Sequence, residues 1–141
     1  MKRILIINGP NLDLLGTREP HLYGDRTFEA YTHELRHAFR NARITVMHSN
    51  VEGELVNALR EGAKESDGIV INPAGYSHTS VALRDAIKVV PVPVIEVHIS
   101  NIHAREEFRH NTLTGAVCEG VITGFGLEGY ALAVHHLLQR S

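Results

Sequence analysis

Two hydrophobic rhythms alternate along this chain. Short runs rich in β-branched and other apolar residues occur at 3–8 (RILIIN), 43–48 (RITVMH), 68–72 (GIVIN), 93–98 (PVIEVH) and 119–123, and predict five strands. Between them, apolar residues step by three and four. Phe28, Tyr31, Leu35 and Phe39 share one face of a helix predicted over 27–41, with Thr27 as its N-cap. Leu55, Val56, Leu59 and Ala63 do the same over 52–65. Further helices are predicted over 79–88 and 127–139, with a short helical turn around 104–108. Strands that alternate with helices imply a parallel sheet covered on both faces. The expected fold is therefore α/β: a flavodoxin-like three-layer sandwich whose five strands run in the order 2-1-3-4-5.

Ligands in such sheets sit beyond the carboxyl ends of the strands, near the switch point between strands 1 and 3. Three loops reach that edge: 9–26, 72–79 and 98–105. The first is long for a βα loop, which marks it as a lid or binding loop, and it carries Asn11, Arg18 and Tyr23. The second carries Asn72 and His78, and the third segment carries Glu96, His98, Ser100, Arg105 and Arg109.

This set contains a possible base, acid and oxyanion stabiliser. A free tyrosine has a pKa of about 10, too high for a base at neutral pH. A guanidinium such as that of Arg18 favours the phenolate of Tyr23 and lowers that value. His98 can be the matching acid, with Glu96 orienting its ring, and Asn11 can stabilise an oxyanion directly or through a water. Those are the parts needed to eliminate water next to a carbonyl.

Length and composition narrow the alternatives. The 141 residues fit a single catalytic domain, with 43% hydrophobic and 21% charged residues and a formal net charge of −2. That balance gives no reason to expect nucleic acid or membrane as a partner. One cysteine, Cys118, permits neither an intrachain disulfide nor a cysteine metal cluster. The opening MKRILIING has too short an apolar run for a signal peptide core, so a cytoplasmic location is expected.

The segments NGPNLDLLGTREPHLYG, INPAGYSHTSVALRDAI and IEVHISNIHAREEFR, with the ending GVITGFGLEGYALAV, resemble the signature blocks of type II 3-dehydroquinate dehydratases. The resemblance spans nearly the whole chain, in the right order and spacing. It implies a lyase of the shikimate pathway, free of cofactor and metal, that removes water from 3-dehydroquinate with anti stereochemistry through an enolate. Tyr23 would take a proton from carbon 2, and Arg18 on the lid would lower its pKa. A water held by Asn11 would stabilise the enolate. His98, supported by Glu96, would protonate the leaving hydroxyl. The backbone amides of Ile99 and Ser100 would bind the substrate carboxylate, and Asn72, His78 and Arg109 the ring oxygens. Asp85 would reach a neighbouring subunit's site in a homododecamer, a tetramer of trimers. Residues 110–114 (HNTLT) and the INPAGYS block depart from the commonest family spelling, so contacts after Arg109 are the least defined.

Each residue also has a duller reading. Tyr23 can be a packing residue, Arg18 a surface ion pair, and Asn11 and Asn72 turn or cap residues. His78 can simply begin the third helix, and Asp85 can be a solvated charge. His98 and His103 lack the i, i+4 spacing of a helical metal pair. His135 and His136 are expected to be partly solvated near the end of the last helix. GFGLEG at 124–129 matches the dinucleotide fingerprint, but only twelve residues follow Gly129, too few for a second strand with its acidic ribose ligand. A tight turn is expected there instead. Two competing functions remain. A flavodoxin-like binding module needs a phosphate cradle after strand 1, where Pro10, Leu12, Leu14 and Leu15 stand instead. A Schiff-base lyase needs a lysine at the site, yet Lys2, Lys64 and Lys88 all fall outside the three loops.

Overall fold

A computed structural model describes residues 1–17, 21 and 26–140. Five strands are present among them: β1 (Lys2–Asn8), β2 (Ala42–His48), β3 (Gly68–Asn72), β4 (Val94–His98) and β5 (Gly120–Thr123). They form one sheet in the order β2-β1-β3-β4-β5. Every neighbouring pair is parallel. Among the described residues four α-helices accompany them: α1 (Phe28–Ala38), α2 (Glu52–Glu65), α3 (Val81–Val89) and α4 (Glu128–Gln139).

Strand alternation sorts the core into two layers. Ile4 and Ile6 of β1, with Val70, Ile95 and Val97, pack against Tyr31 and Leu35 of α1 and Tyr130, Val134 and Leu137 of α4. Ile7, Ile69, Ile71 and Val94 pack on the opposite face against Leu55 and Leu59 of α2 and Leu83 and Ile87 of α3. The predicted helical faces of α1 and α2 are thus the buried ones, and the expected three-layer architecture and strand order are present.

The differences from expectation lie at element ends. Thr27 caps α1 as predicted, its side chain accepting from Ala30 N at 3.1 Å. The helix stops at Ala38 rather than 41, because Phe39 leaves helical geometry while its N–H still bonds Leu35 O. Helix α3 starts at Val81, since residues Ala74–His78 form a 3-10 turn and Ser80 then caps the helix by accepting from Leu83 N. The single turn expected around 104–108 is two 3-10 turns, Ile102–Ala104 and Glu107–Arg109. No helix among the described residues is long and apolar enough to cross a membrane.

Candidate active site

The carboxyl ends of β1, β3 and β4 meet at a cavity of about 150 Å³. It is lined by Asn11, Asn72, His78, His98, Ile99, Ser100 and Arg109, with an apolar wall that includes Leu12, Leu14 and Leu15. Seven of the residues singled out in the sequence therefore face one space. Arg18 and Tyr23 lie outside the described residues. Asp85 is exposed on α3, away from the cavity lining. Glu96 lies behind the lining, fully buried.

The loop after β1 is held close to the loop after β3. Gly9 N donates to Asn72 O at 2.8 Å. A Cβ on Gly9 would lie 2.7 Å from the Pro73 carbonyl oxygen, so only glycine permits this approach. Asn11 then turns left-handed (φ 69°), a conformation asparagine tolerates, and its N–H donates to Asn50 Oδ1 at 2.9 Å. Leu12 and Leu15 are buried against the core beneath it, which anchors the start of this long loop.

Asn72 is largely committed within the protein. Its Nδ2 donates to the Tyr130 hydroxyl at 2.9 Å, and its Oδ1 accepts from Ala74 N at 3.1 Å. One Nδ2 hydrogen remains for a ligand. His78 does not begin α3; it ends the preceding 3-10 turn and points its ring toward the cavity. Its Nδ1 lies 2.8 Å from Asn111 O. A carbonyl only accepts, so Nδ1 carries the hydrogen and Nε2 of the neutral ring is an acceptor. Burial holds the His78 pKa below the ordinary histidine value, with the charges of His98 and Arg109 acting in the same direction and the Asn111 hydrogen bond opposing them. The rings of His78 and His98 stack 6.0 Å apart.

Glu96 and His98 are two residues apart on β4, so both side chains project from the same face of the sheet. They meet there: His98 Nε2 lies 2.7 Å from Glu96 Oε2, with both side chains buried. With Nε2 turned toward the carboxylate, Nδ1 is the nitrogen left to serve the cavity.

The backbone after β4 is braced by the glycine turn. Gly124 N bonds His98 O at 3.2 Å and Gly126 N bonds Ile99 O at 3.0 Å. Both glycines have positive φ, 95° and 61°. In a trans peptide the N–H points opposite to the C=O, so the amides of Ile99 and Ser100 face away from this turn. GFGLEG is thus the expected tight turn, and its hydrogen bonds fix the direction of these two amides.

Arg105, named in the sequence among the polar residues of the third loop but given no role there, lines the cavity and donates to Ser100 Oγ at 3.4 Å. Arg109 bonds Glu106 at 2.8 Å and stacks over Phe108. That pairing holds the Glu106 carboxyl below its usual range. Two hydroxyls escaped the sequence reading. Thr112 and Thr114, in the segment that departs from the usual spelling, both donate to Glu96. His136, expected to be partly solvated, is half-exposed and pairs with Glu119 at 2.6 Å. Among the described residues no group of three or more His, Cys, Asp or Glu side chains is placed to hold a metal ion.

Residues 2–138 match the family model described as dehydroquinase class II. The chain is 51% identical over 138 residues to a 3-dehydroquinate dehydratase of an Exiguobacterium species, covering 97% of this chain and 94% of that one. It is 53% identical over 140 residues to a 3-dehydroquinate dehydratase of Helicobacter hepaticus, covering 97% and 89%. The crystal structure of the type II dehydroquinase from Butyrivibrio crossotus superposes with a TM-score of 0.94 at 43% identity, over 98% of each chain. Fold, cavity and sequence agree on one assignment: this chain belongs to the class II dehydroquinase family.

Proposed function

We propose that the chain is a 3-dehydroquinate dehydratase, a hydro-lyase of the shikimate pathway, acting by anti elimination without a cofactor. The observation that carries this reading is the buried Glu96–His98 pair, 2.7 Å apart, behind a cavity of the right family. The Tyr23 phenolate, favoured by Arg18, removes the proton at carbon 2 of 3-dehydroquinate. The electron pair moves into the adjacent carbonyl and forms an enolate, which a water held by Asn11 stabilises. The enolate then reforms the carbonyl and expels the carbon-1 hydroxyl. That hydroxyl takes a proton from the His98 imidazolium and leaves as water. Glu96 stabilises the imidazolium before transfer, and its bond to Nε2 leaves Nδ1 as the nitrogen that delivers the proton.

The substrate carboxylate is bound by the amide N–H groups of Ile99 and Ser100, whose peptide partners His98 O and Ile99 O accept from Gly124 N and Gly126 N. Asn72 offers its remaining Nδ2 hydrogen, His78 its Nε2 acceptor and Arg109 its guanidinium to the ring oxygens. The exposed position of Asp85 on α3 suits a role in a neighbouring subunit's site, within a homododecamer built as a tetramer of trimers in the cytoplasm. The lysine alternative loses support from placement. Lys2 donates to the Leu137 carbonyl, Lys64 pairs with Glu61 on an open helix face, and Lys88 is exposed near the end of α3. The apolar wall of Leu12, Leu14 and Leu15 likewise replaces the amide nest that a phosphate-binding module requires.

The test is formation of the conjugated enone product from 3-dehydroquinate by wild type and by His98→Ala. Turnover by wild type that falls by roughly 10²–10⁴-fold in the variant fits a general acid. A variant with wild-type turnover removes His98 from that role.

A further inference from the structure

The segment between Arg109 and β5 is irregular, departs from the usual family spelling, and carries none of the roles assigned above. It nevertheless closes over the buried end of the site. Thr112 Oγ1 lies 2.7 Å from Glu96 Oε2, and Thr114 Oγ1 bonds Glu96 Oε1. The Thr112 oxygen accepts from Gly115 N at 2.9 Å, which leaves its one hydrogen for the carboxylate. Glu96 is fully buried and Thr114 has no exposed surface. With His98 Nε2, three donors therefore converge on one carboxylate, two on Oε2 and one on Oε1.

The segment is itself pinned. Leu113 N donates to Ser77 O at 2.7 Å and Arg84 Nη1 donates to Leu113 O at 2.9 Å. Asn111 O receives the His78 ring. These bonds bind the two threonines to the 3-10 turn before α3 and to α3 itself.

We propose that Thr112 and Thr114 are positioning residues, a hydroxyl clamp that holds the Glu96 carboxylate in the one orientation that keeps His98 turned with Nε2 inward and Nδ1 toward the cavity. A carboxylate held only by His98 would be free to rotate about its last torsion, and the ring could turn with it. Two hydroxyls on its two oxygens remove that freedom. The inference rests on His98 acting as the acid in the proposed reaction. The other titratable or charged groups that bear on the pair are the His78 ring stacked on His98, Arg109 acting on His78, Arg105 in the cavity wall, and Cys118, whose thiol is pushed up by burial and by Glu96.

The experiment compares wild type, Thr112→Val/Thr114→Val, Thr112→Ser/Thr114→Ser and His98→Ala as assembled, full-length enzyme. Turnover is measured against pH, and the ring nitrogens are read by NMR on ¹⁵N-histidine-labelled protein. In the valine pair kcat falls roughly tenfold to a hundredfold, part of the 10²–10⁴-fold a proton-transfer group supplies, while KM stays within about twofold. The His98 ring signals change from one tautomer to a mixture, and the acid-dependent limb of the pH profile moves. The serine pair, which keeps both hydroxyls, restores kcat and the single tautomer even if the valine pair folds poorly. A folded valine pair with wild-type kcat and unchanged ring signals would overturn the clamp. So would a serine pair as impaired as the valine pair. Full turnover by His98→Ala would instead overturn the acid assignment beneath it, so the two failures are separable.

Discussion

The Tyr130 hydroxyl donates to Asn8 Oδ1 at 2.8 Å, linking the first turn of α4 to the carboxyl end of β1. The same hydroxyl accepts from Asn72 Nδ2 at 2.9 Å, so one buried oxygen joins the ends of two neighbouring strands beneath the cavity. Burial pushes the Tyr130 pKa well up, with the Asn72 bond opposing that shift, and the group works as a neutral phenol. Tyr130→Phe would leave Asn8 Oδ1 and Asn72 Nδ2 buried without this partner. The expected cost is about 1–3 kcal/mol, read as a lower denaturant midpoint in chemical unfolding. An unchanged midpoint would show that the two asparagines find other partners.

Gly115 sits where a methyl group cannot go. A Cβ there would lie 2.7 Å from Thr112 Cγ2, 2.9 Å from Val121 Cγ2 and 3.0 Å from Glu96 Oε2. Gly115→Ala should destabilise the protein by about 1–3 kcal/mol through overpacking. Because the clash falls on the residues around Glu96, turnover should fall further than stability alone explains. Thermal unfolding and steady-state kinetics on the same preparation check both parts.

The pH dependence of stability has a surface contribution with a defined sign. Arg140 and then His136 hydrogen-bond the Glu119 carboxylate and hold it at about 2, below its ordinary 4.5. A carboxyl depressed in the folded state contributes stability that is fully present above 4.5 and is lost as pH falls through about 2. Glu119→Gln should therefore narrow the stability difference between pH 5 and pH 2 that wild type shows, measured by unfolding at fixed ionic strength. An identical pH dependence in the variant would mean the cluster contributes nothing net, as exposed ion pairs sometimes do.

Tyr23 carries the proposed base role. Tyr23→Phe should reduce turnover by roughly 10²–10⁴-fold while ligand binding stays largely intact, since only the hydroxyl is lost. Binding of a substrate analogue by calorimetry and single-turnover rates separate the two effects. Near-normal turnover would remove Tyr23 from the mechanism.

Much of the architecture was legible because it depends on periodicity. Apolar runs located all five strands, and the three-and-four stepping of Phe28, Tyr31 and Leu35 located the buried face of α1. Helix ends were less legible, since Phe39 fits the apolar pattern of α1 yet lies beyond its last turn. The cavity lining was largely readable from three loops at one sheet edge. The Glu96–His98 contact also had a sequence signal: residues two apart on a strand share a face. Thr112 and Thr114 had none of this kind. They lie in irregular segments without a period, and their partners are set by how the 109–120 chain folds back over β4. Asp85 is a different case, because the role proposed for it in another subunit would leave no mark within one chain.

The central claim is tested most directly by following the ultraviolet absorbance of the enone formed from fresh 3-dehydroquinate, using assembled enzyme with and without pretreatment by borohydride in the presence of substrate, the reagent being removed before the assay. Product that forms at the same rate after borohydride pretreatment is the predicted result, since the proposed mechanism uses no lysine. No product, or product abolished by borohydride, would contradict the account.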